Sequence, residues 1–243
     1  NPKKPIVILK GGLTSAGAKA AASHTGSLAG QNAIWDAFFA QSGAIPVDSI
    51  EEMVDVLQAL VRLSPCTGRG AMLIGGAGGN GVVATDICAR EGLEVPDMSE
   101  EIQKELREFI GVAGTSVRNP MDVGMQLRGP EDFFRVLEVV VKDPNVDIIF
   151  MIAMIFSRRM GWWGGAKNMF KTLTKFAKQP RRQPFVVAIR STSEQLETEK
   201  ERLWVTARFV KVGIPVFKTV ERACRALYKY TGYYRRLQEA EQE

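Results

Sequence analysis

Apolar positions in this chain follow two patterns. Three stretches are apolar almost without interruption: Ile6-Val7-Ile8-Leu9, Val146-Asp147-Ile148-Ile149-Phe150-Met151-Ile152-Ala153-Met154 and Phe185-Val186-Val187-Ala188-Ile189. Runs without alternation predict strands buried on both faces, as in a parallel sheet. Elsewhere apolar residues recur at helical spacing. Ile50, Met53, Val54, Leu57, Leu60 and Val61 fall on one face of a helix over 50–61, with Asp48 or Ser49 as its N-cap. The same reading predicts strands at 6–9, 45–47, 71–75, 93–95, 146–154, 185–190 and 214–217. Helices are predicted at 27–41, 50–61, 79–90, 99–110, 130–142, 165–178, 193–211 and 219–238. Gly43 is placed to end the first of these, and Pro46 confines 45–47 to a sheet edge. Strict strand–helix alternation predicts an α/β protein with right-handed, doubly wound parallel sheets.

A break in the pattern divides the chain. Ser64-Pro65-Cys66-Thr67-Gly68-Arg69-Gly70 has turn chemistry and no periodicity. It separates residues 1–63 from a second module over 64–243. The first module has only two strands, too few for a stable sheet. Its missing strands are expected upstream of Asn1, in keeping with a start, Asn1-Pro2-Lys3-Lys4-Pro5, that has neither an initiator Met nor a signal peptide's apolar region.

Composition changes this picture little. The 243 residues carry 32 Lys and Arg against 27 Asp and Glu, a net charge of +5. The basic residues are spread along helices, and the denser groups, Lys178 to Arg182 and Arg235-Arg236, lie near helix ends, where cations are ordinary dipole partners. Nucleic-acid binding is therefore not expected. No apolar run approaches the ~20 residues that span a bilayer, so no membrane partner is expected either. Cys66, Cys88 and Cys224 are far apart and have no metal-ligand spacing; with a single histidine, no zinc site is expected. They read as buried or partly buried thiols of a reducing compartment.

The chemistry concentrates on that histidine. His24 lies in Ala20-Ala21-Ala22-Ser23-His24-Thr25-Gly26-Ser27-Leu28-Ala29-Gly30, where small neighbours leave the imidazole open to a large reactant. A helix is expected to start just after it, at Ser27, capped by Thr25 or Ser27. The first N–H groups of a helix form an anion site. A histidine beside one points to phosphate chemistry on the imidazole; the alternative is a capping or packing residue.

Two glycine-rich loops of the second module follow strands at the end where open parallel sheets bind ligands. Gly75-Gly76-Ala77-Gly78-Gly79-Asn80-Gly81 contains a G-x-G-x-x-G spacing. It has no Lys followed by Ser or Thr and no acidic residue at ribose distance, so neither a P-loop nor a dinucleotide site is assigned. Tight strand–helix packing is its other reading. The second loop, Gly161-Trp162-Trp163-Gly164-Gly165-Ala166, leads into the helix at 165–178, and its tryptophans read as surface or interface packing. Asn119 and Asp122 flank a Pro-Met turn expected to hydrogen-bond itself. Lys10 faces either phosphate or solvent.

Residues 5–62 resemble the succinyl-CoA synthetase superfamily, and among it the NDP-forming acyl-CoA synthetases, also called ADP-forming acetate–CoA ligases. The resemblance is carried by Lys4-Pro5-Ile6-Val7-Ile8-Leu9-Lys10-Gly11-Gly12 and by Ala16-Gly17-Ala18-Lys19-Ala20-Ala21-Ala22-Ser23-His24-Thr25-Gly26-Ser27-Leu28-Ala29-Gly30. Gly70 to Asp86 is similar to the first strand, loop and helix of that family's second flavodoxin-like module, and Arg118-Asn119-Pro120-Met121-Asp122-Val123-Gly124 to a family loop. The resemblance implies a transient phosphohistidine at His24, phosphate contacts from Thr25, Gly26 and Ser27, and a facing loop, Gly164-Gly165 or Gly78-Gly79, in the second module. It implies interconversion of acyl-CoA, ADP and phosphate with a carboxylic acid, CoA and ATP, with Mg²⁺ in the complete enzyme and no tightly bound cofactor. An upstream CoA-binding domain, an ATP-grasp domain or subunit, an oligomeric cytoplasmic enzyme and inactivity of this part alone follow from it. The alternative is a non-catalytic, synthetase-like ligand-sensing region of a protein acetyltransferase.

Overall fold

The computed structural model describes residues 4–25, 31–75, 78–111, 114–123, 129–155, 166–191 and 193–242. The chain is α/β with two parallel sheets. The first sheet pairs β1 (Val7–Leu9) with β2 (Ile45–Val47), Val7 opposite Ile45. Between them run α1 (Ser15–Thr25) and α2 (Asn32–Ser42). Gly43 ends α2 in the left-handed conformation at φ 70°, its N–H donating to the Phe39 carbonyl, as expected.

Helix α3 (Ile50–Arg62) opens on Ser49, whose hydroxyl accepts from the Glu52 N–H. The Glu52 carboxylate returns to the Asp48 N–H at 2.7 Å. This reciprocal pair fixes the start of the helix. The buried face is not the one its apolar periodicity suggests. Asp55, Val56, Ala59 and Leu60 are buried, whereas Ile50, Val54, Leu57 and Val61 are exposed. The sequence carries two apolar stripes. The one with Val56, Ala59 and Leu60 faces inward, and Arg222, 2.6 Å from the Asp55 carboxylate, offsets part of the cost of burying it.

The second sheet has the order β3-β4-β5-β6, all parallel: β3 (Ala71–Ile74), β4 (Ile148–Ile155), β5 (Phe185–Ser191) and β6 (Val216–Phe217). The outer edge of β3 takes two short partners, Glu94 bridging Gly70 and Met121 bridging Ile74. The strand expected at 93–95 thus contracts to one bridge. Pro96 has no N–H to continue a ladder, and its carbonyl accepts instead from the Asn119 amide.

Successive strand residues serve opposite faces. Met72, Ile74, Ile149, Met151 and Val187 face a layer of α5 (Glu100–Arg107), α6 (Pro130–Val140), α7 (Ala166–Lys178) and α8 (Leu196–Lys211). Leu73, Ile148, Phe150, Val186 and Phe217 face α4 (Gly79–Arg90), α9 (Val220–Gln242) and α3. Both faces being covered explains the uninterrupted apolar runs.

Residues before and after 64–70 share one apolar layer, since Ile45, Val47, Val56 and Leu60 cluster with Phe217, Leu227 and Tyr230. Polar ties reinforce it. Lys229 reaches Glu52 at 2.9 Å and the Pro46 carbonyl at 2.6 Å. The Gln58 side chain accepts from the Val216 N–H and so covers the open edge of β6. The 64–70 stretch is itself pinned. Tyr230 donates to the Ser64 carbonyl, and the Gly70 N–H to Asp147 at 3.0 Å. Among the described residues no helix is long and apolar enough to cross a membrane.

Candidate functional site

His24 lies in the last turn of α1, not in a loop, and is exposed. The alanine-rich stretch Ala16-Gly17-Ala18-Lys19-Ala20-Ala21-Ala22 favours helix strongly enough to carry it through Thr25. The helix expected from Ser27 begins at Asn32, with Gln31 in the N-cap position and no side-chain cap bond. Thr25 therefore ends one helix rather than capping the next; Gly26 and Ser27 lie outside the described residues. The electrostatic sense at this point is reversed. A helix C-terminus presents carbonyls and partial negative charge, which suits a cation and opposes an anion. This helix end therefore offers no free N–H groups to an anion beside His24.

Ser23 donates to the Ala20 carbonyl, while Asn32 reaches back 2.8 Å to the Leu13 carbonyl and ties the start of α2 to the turn before α1. Lys10 donates to the Gly11 carbonyl and lies 5.2 Å from the ring centre of Trp35. Its ammonium is thus held by local groups.

The start of α4, at the carboxyl end of β3, is a helix start without a side-chain cap bond, as is that of α2. Gly75 makes the turn. Its φ is +89°, and a Cβ there would fall 2.6 Å from the Ile152 carbonyl oxygen, so only glycine fits between β3 and β4. Gly78, at φ 30° and ψ −95°, is the N-cap, and Gly79 is the first helical residue. Added Cβ atoms at Gly78 and Gly79 meet nothing within 4 Å. The tight packing expected of this loop therefore rests on Gly75, and the two later glycines face open space. Gly76 and Ala77 lie outside the described residues.

Beside Gly78 lies a cavity of about 420 Å³ lined also by Gly81, Val82, Arg118, Pro120 and Asp122, among others. Its far wall is the Arg118–Asp122 segment, which closes on itself as expected, Ser116 and Asp122 exchanging both backbone bonds at 2.9 Å, and also bonds to β3. Asn119, largely buried, accepts from the Leu73 N–H at 3.0 Å and donates to the Ala71 carbonyl at 2.8 Å. The Met121 N–H donates to the Leu73 carbonyl, and the Gly75 N–H to the Met121 carbonyl. Asp122 accepts from the Gly78 N–H at 2.8 Å. A carboxylate at this position uses one N–H of the helix start and adds negative charge to the mouth; exposed Arg118 adds positive charge. An anion entering here must compete with Asp122 for the Gly78 N–H. The Asp122–Gly78 contact was not legible in the sequence, since the residues are 44 apart. Gly164 and Gly165, with Trp162 and Trp163, lie outside the described residues.

A doubly wound parallel sheet with a glycine turn and a helix start at its carboxyl edge defines a domain of the flavodoxin-like class. Two family models match in succession: succinyl-CoA ligase like flavodoxin domain over residues 1–60, and Ligase-CoA domain over residues 71–201. The chain belongs to the Ligase-CoA domain family, in the acyl-CoA ligase group of its relatives. It is 39% identical over 153 residues to the acetate–CoA ligase [ADP-forming] II subunit alpha of Pyrococcus furiosus, covering 63% of this chain and 33% of that protein. It is 32% identical to the acetate–CoA ligase [ADP-forming] I subunit alpha of the same organism, over 94% of this chain and 47% of that one. Among solved structures, the dinucleotide forming acetyl-coenzyme A synthetase 1 of Ca. Korarchaeum cryptofilum, in complex with phosphate and ADP, superposes with a TM-score of 0.75 at 28% identity, over 97% of this chain and 49% of that one. This chain thus spans a third to a half of these relatives.

Proposed function

We propose that this chain is the phosphohistidine-bearing part of an NDP-forming acid–CoA ligase. The observation that carries the reading is an intact Ser23-His24-Thr25-Gly26 sequence, with the imidazole exposed, in a chain whose named relatives are ADP-forming ligases. The complete protein interconverts acyl-CoA, ADP and phosphate with a carboxylic acid, CoA and ATP. A neutral imidazole nitrogen of His24 attacks the phosphorus of an acyl phosphate, and the bond to the acyl oxygen breaks to release the carboxylate. A β-phosphate oxygen of ADP later attacks the same phosphorus, and the P–N bond breaks.

Because His24 sits at a helix C-terminus, the dianionic phosphoryl group draws its donors from a facing helix start. Gly78 and Gly79 at the head of α4 suit that role, since they border open space at the carboxyl edge of the sheet. The reading also assigns phosphate contacts to Thr25, Gly26 and Ser27, and keeps Gly164-Gly165 as the second facing loop. Among the described residues no group of three or more His, Cys, Asp or Glu could hold a metal ion. The reading assigns the Mg²⁺ of the complete enzyme to the nucleotide, with no step here routed through it. CoA and nucleotide bind to a CoA-binding domain and an ATP-grasp domain or subunit of the same cytoplasmic, oligomeric enzyme. The acetyltransferase alternative draws no support from these relatives.

The test is phosphorylation of the complete enzyme with labelled ATP. Label on wild type that is stable to alkali and lost in acid, and that is absent from His24→Asn, is the expected result. Label persisting in His24→Asn overturns the assignment.

A further inference from the structure

We propose that Cys88 and Cys224 form a reversible intramolecular disulfide, a modification site that locks α4 to α9. The two residues are 136 positions apart, yet their Sγ atoms lie 3.5 Å from each other in the buried layer between the helices. Bonded sulfurs sit about 2.05 Å apart, so closure needs about 1.5 Å of approach.

A second contact holds the helices in register beside the pair. Arg225, next to Cys224, grips Glu91 with two bonds, Nε to Oε2 at 2.8 Å and Nη2 to Oε1 at 3.0 Å. Glu91 follows Cys88 by about one turn at the end of α4. The guanidinium is already engaged there and holds Glu91 below the usual carboxylate range. Cys88 and Cys224 belong to one buried apolar cluster with Ile87, Leu93, Ala223 and Leu227. The Cys88 neighbour and burial push the Cys224 thiol far upward. A neutral disulfide meets no such penalty in this apolar layer, whereas a thiolate does. Cys66 is different. It is partly buried, contacts the Gly68 and Asp147 carbonyls through its sulfur, and burial pushes it up to about 11.

The oxidant is of the peroxide class. One thiolate attacks a peroxide oxygen, the O–O bond breaks, and a sulfenic acid and water form. The second thiol attacks the sulfenic sulfur, the S–S bond forms, and a second water leaves. Two thiols and one hydrogen peroxide thus give one disulfide and two waters. Because both sulfurs are buried, reaction proceeds through brief local opening where α4 ends, and it is slow. The product joins α4, whose first turn borders the 420 Å³ cavity, to α9, on which α3 docks.

The experiment treats the reduced full-length protein with hydrogen peroxide under native conditions and maps its peptides without reduction. A linked pair containing Cys88 and Cys224, lost on adding dithiothreitol, is expected. The thermal midpoint should rise by about 5–10 °C and return on reduction. Cys66→Ser should keep both changes, while Cys88→Ala and Cys224→Ala should each remove them. The wild-type peptide map decides the matter even where a cysteine variant folds poorly. The proposal is overturned if both cysteines remain free thiols once Cys66 has been oxidised. A link formed only in denaturant also overturns it.

Discussion

A methyl group added at Gly79 meets nothing within 4 Å, and the residue is helical. Gly79→Ala should therefore change stability by less than about 1 kcal/mol. The proposed facing role makes a different demand on this position. On that proposal, a methyl at the first helical residue of α4 adds bulk beside the N–H groups that would receive the phosphoryl group. Displacing it by about 1 Å costs on the order of 100-fold in rate. Thermal unfolding together with the rate of His24 phosphorylation in the complete enzyme separates the two effects. An unchanged midpoint with a rate near wild type would mean that α4 does not face the phosphohistidine. At Gly75 the same substitution collides with the Ile152 carbonyl at positive φ and is expected to disrupt folding itself.

Among the elements, the 116–123 segment shows how a loop can replace a strand. Its backbone bridges β3 at Ile74, and its Asn119 side chain takes the part of a neighbouring peptide group, accepting from Leu73 and donating to Ala71. Asn119→Ala leaves the buried Leu73 N–H and Ala71 carbonyl without these partners. A loss of about 3 kcal/mol in denaturant unfolding is expected, with the cavity beside Gly78 loosened because Asp122 shares the segment. A loss below ~1 kcal/mol would show that other groups satisfy β3. Helix α1 teaches a related lesson. Its alanines extend helix to the histidine and set a negative helix end beside it, so the proposed phosphohistidine needs its N–H donors from a separate element.

For the molecule as a whole, the packing of α3 on α9 joins the parts before and after 64–70. Asp55 is 3% exposed, and burial raises its carboxyl above the ordinary value while Arg222 opposes the shift. A raised folded-state value means that this group's contribution to stability falls as pH climbs through it. Removing the cation in Arg222→Met leaves a buried carboxylate uncompensated, at a cost of about 3 kcal/mol near neutrality. The loss should shrink as pH is lowered and Asp55 takes up a proton. Urea unfolding of wild type and variant across the acid and neutral range tests this sign. A loss that grows toward low pH would contradict it.

The sequence by itself determined the class of fold, because local rules govern it. Uninterrupted apolar runs mark strands covered on both faces, as at Ile148–Ile155 and Phe185–Ser191, and Ser49 and Gly43 mark helix ends through backbone chemistry within four residues. It also singled out His24, a lone imidazole among small side chains. Tertiary structure alone decided which stripe of α3 turns inward, since that stripe packs with Phe217, Leu227 and Tyr230 and pairs Asp55 with Arg222, 167 residues away. It alone brought Asp122 to the head of α4 and set Cys88 against Cys224. Such pairings leave no local periodicity, because residues far apart in the chain meet only when the sheet and its two helix layers close around them.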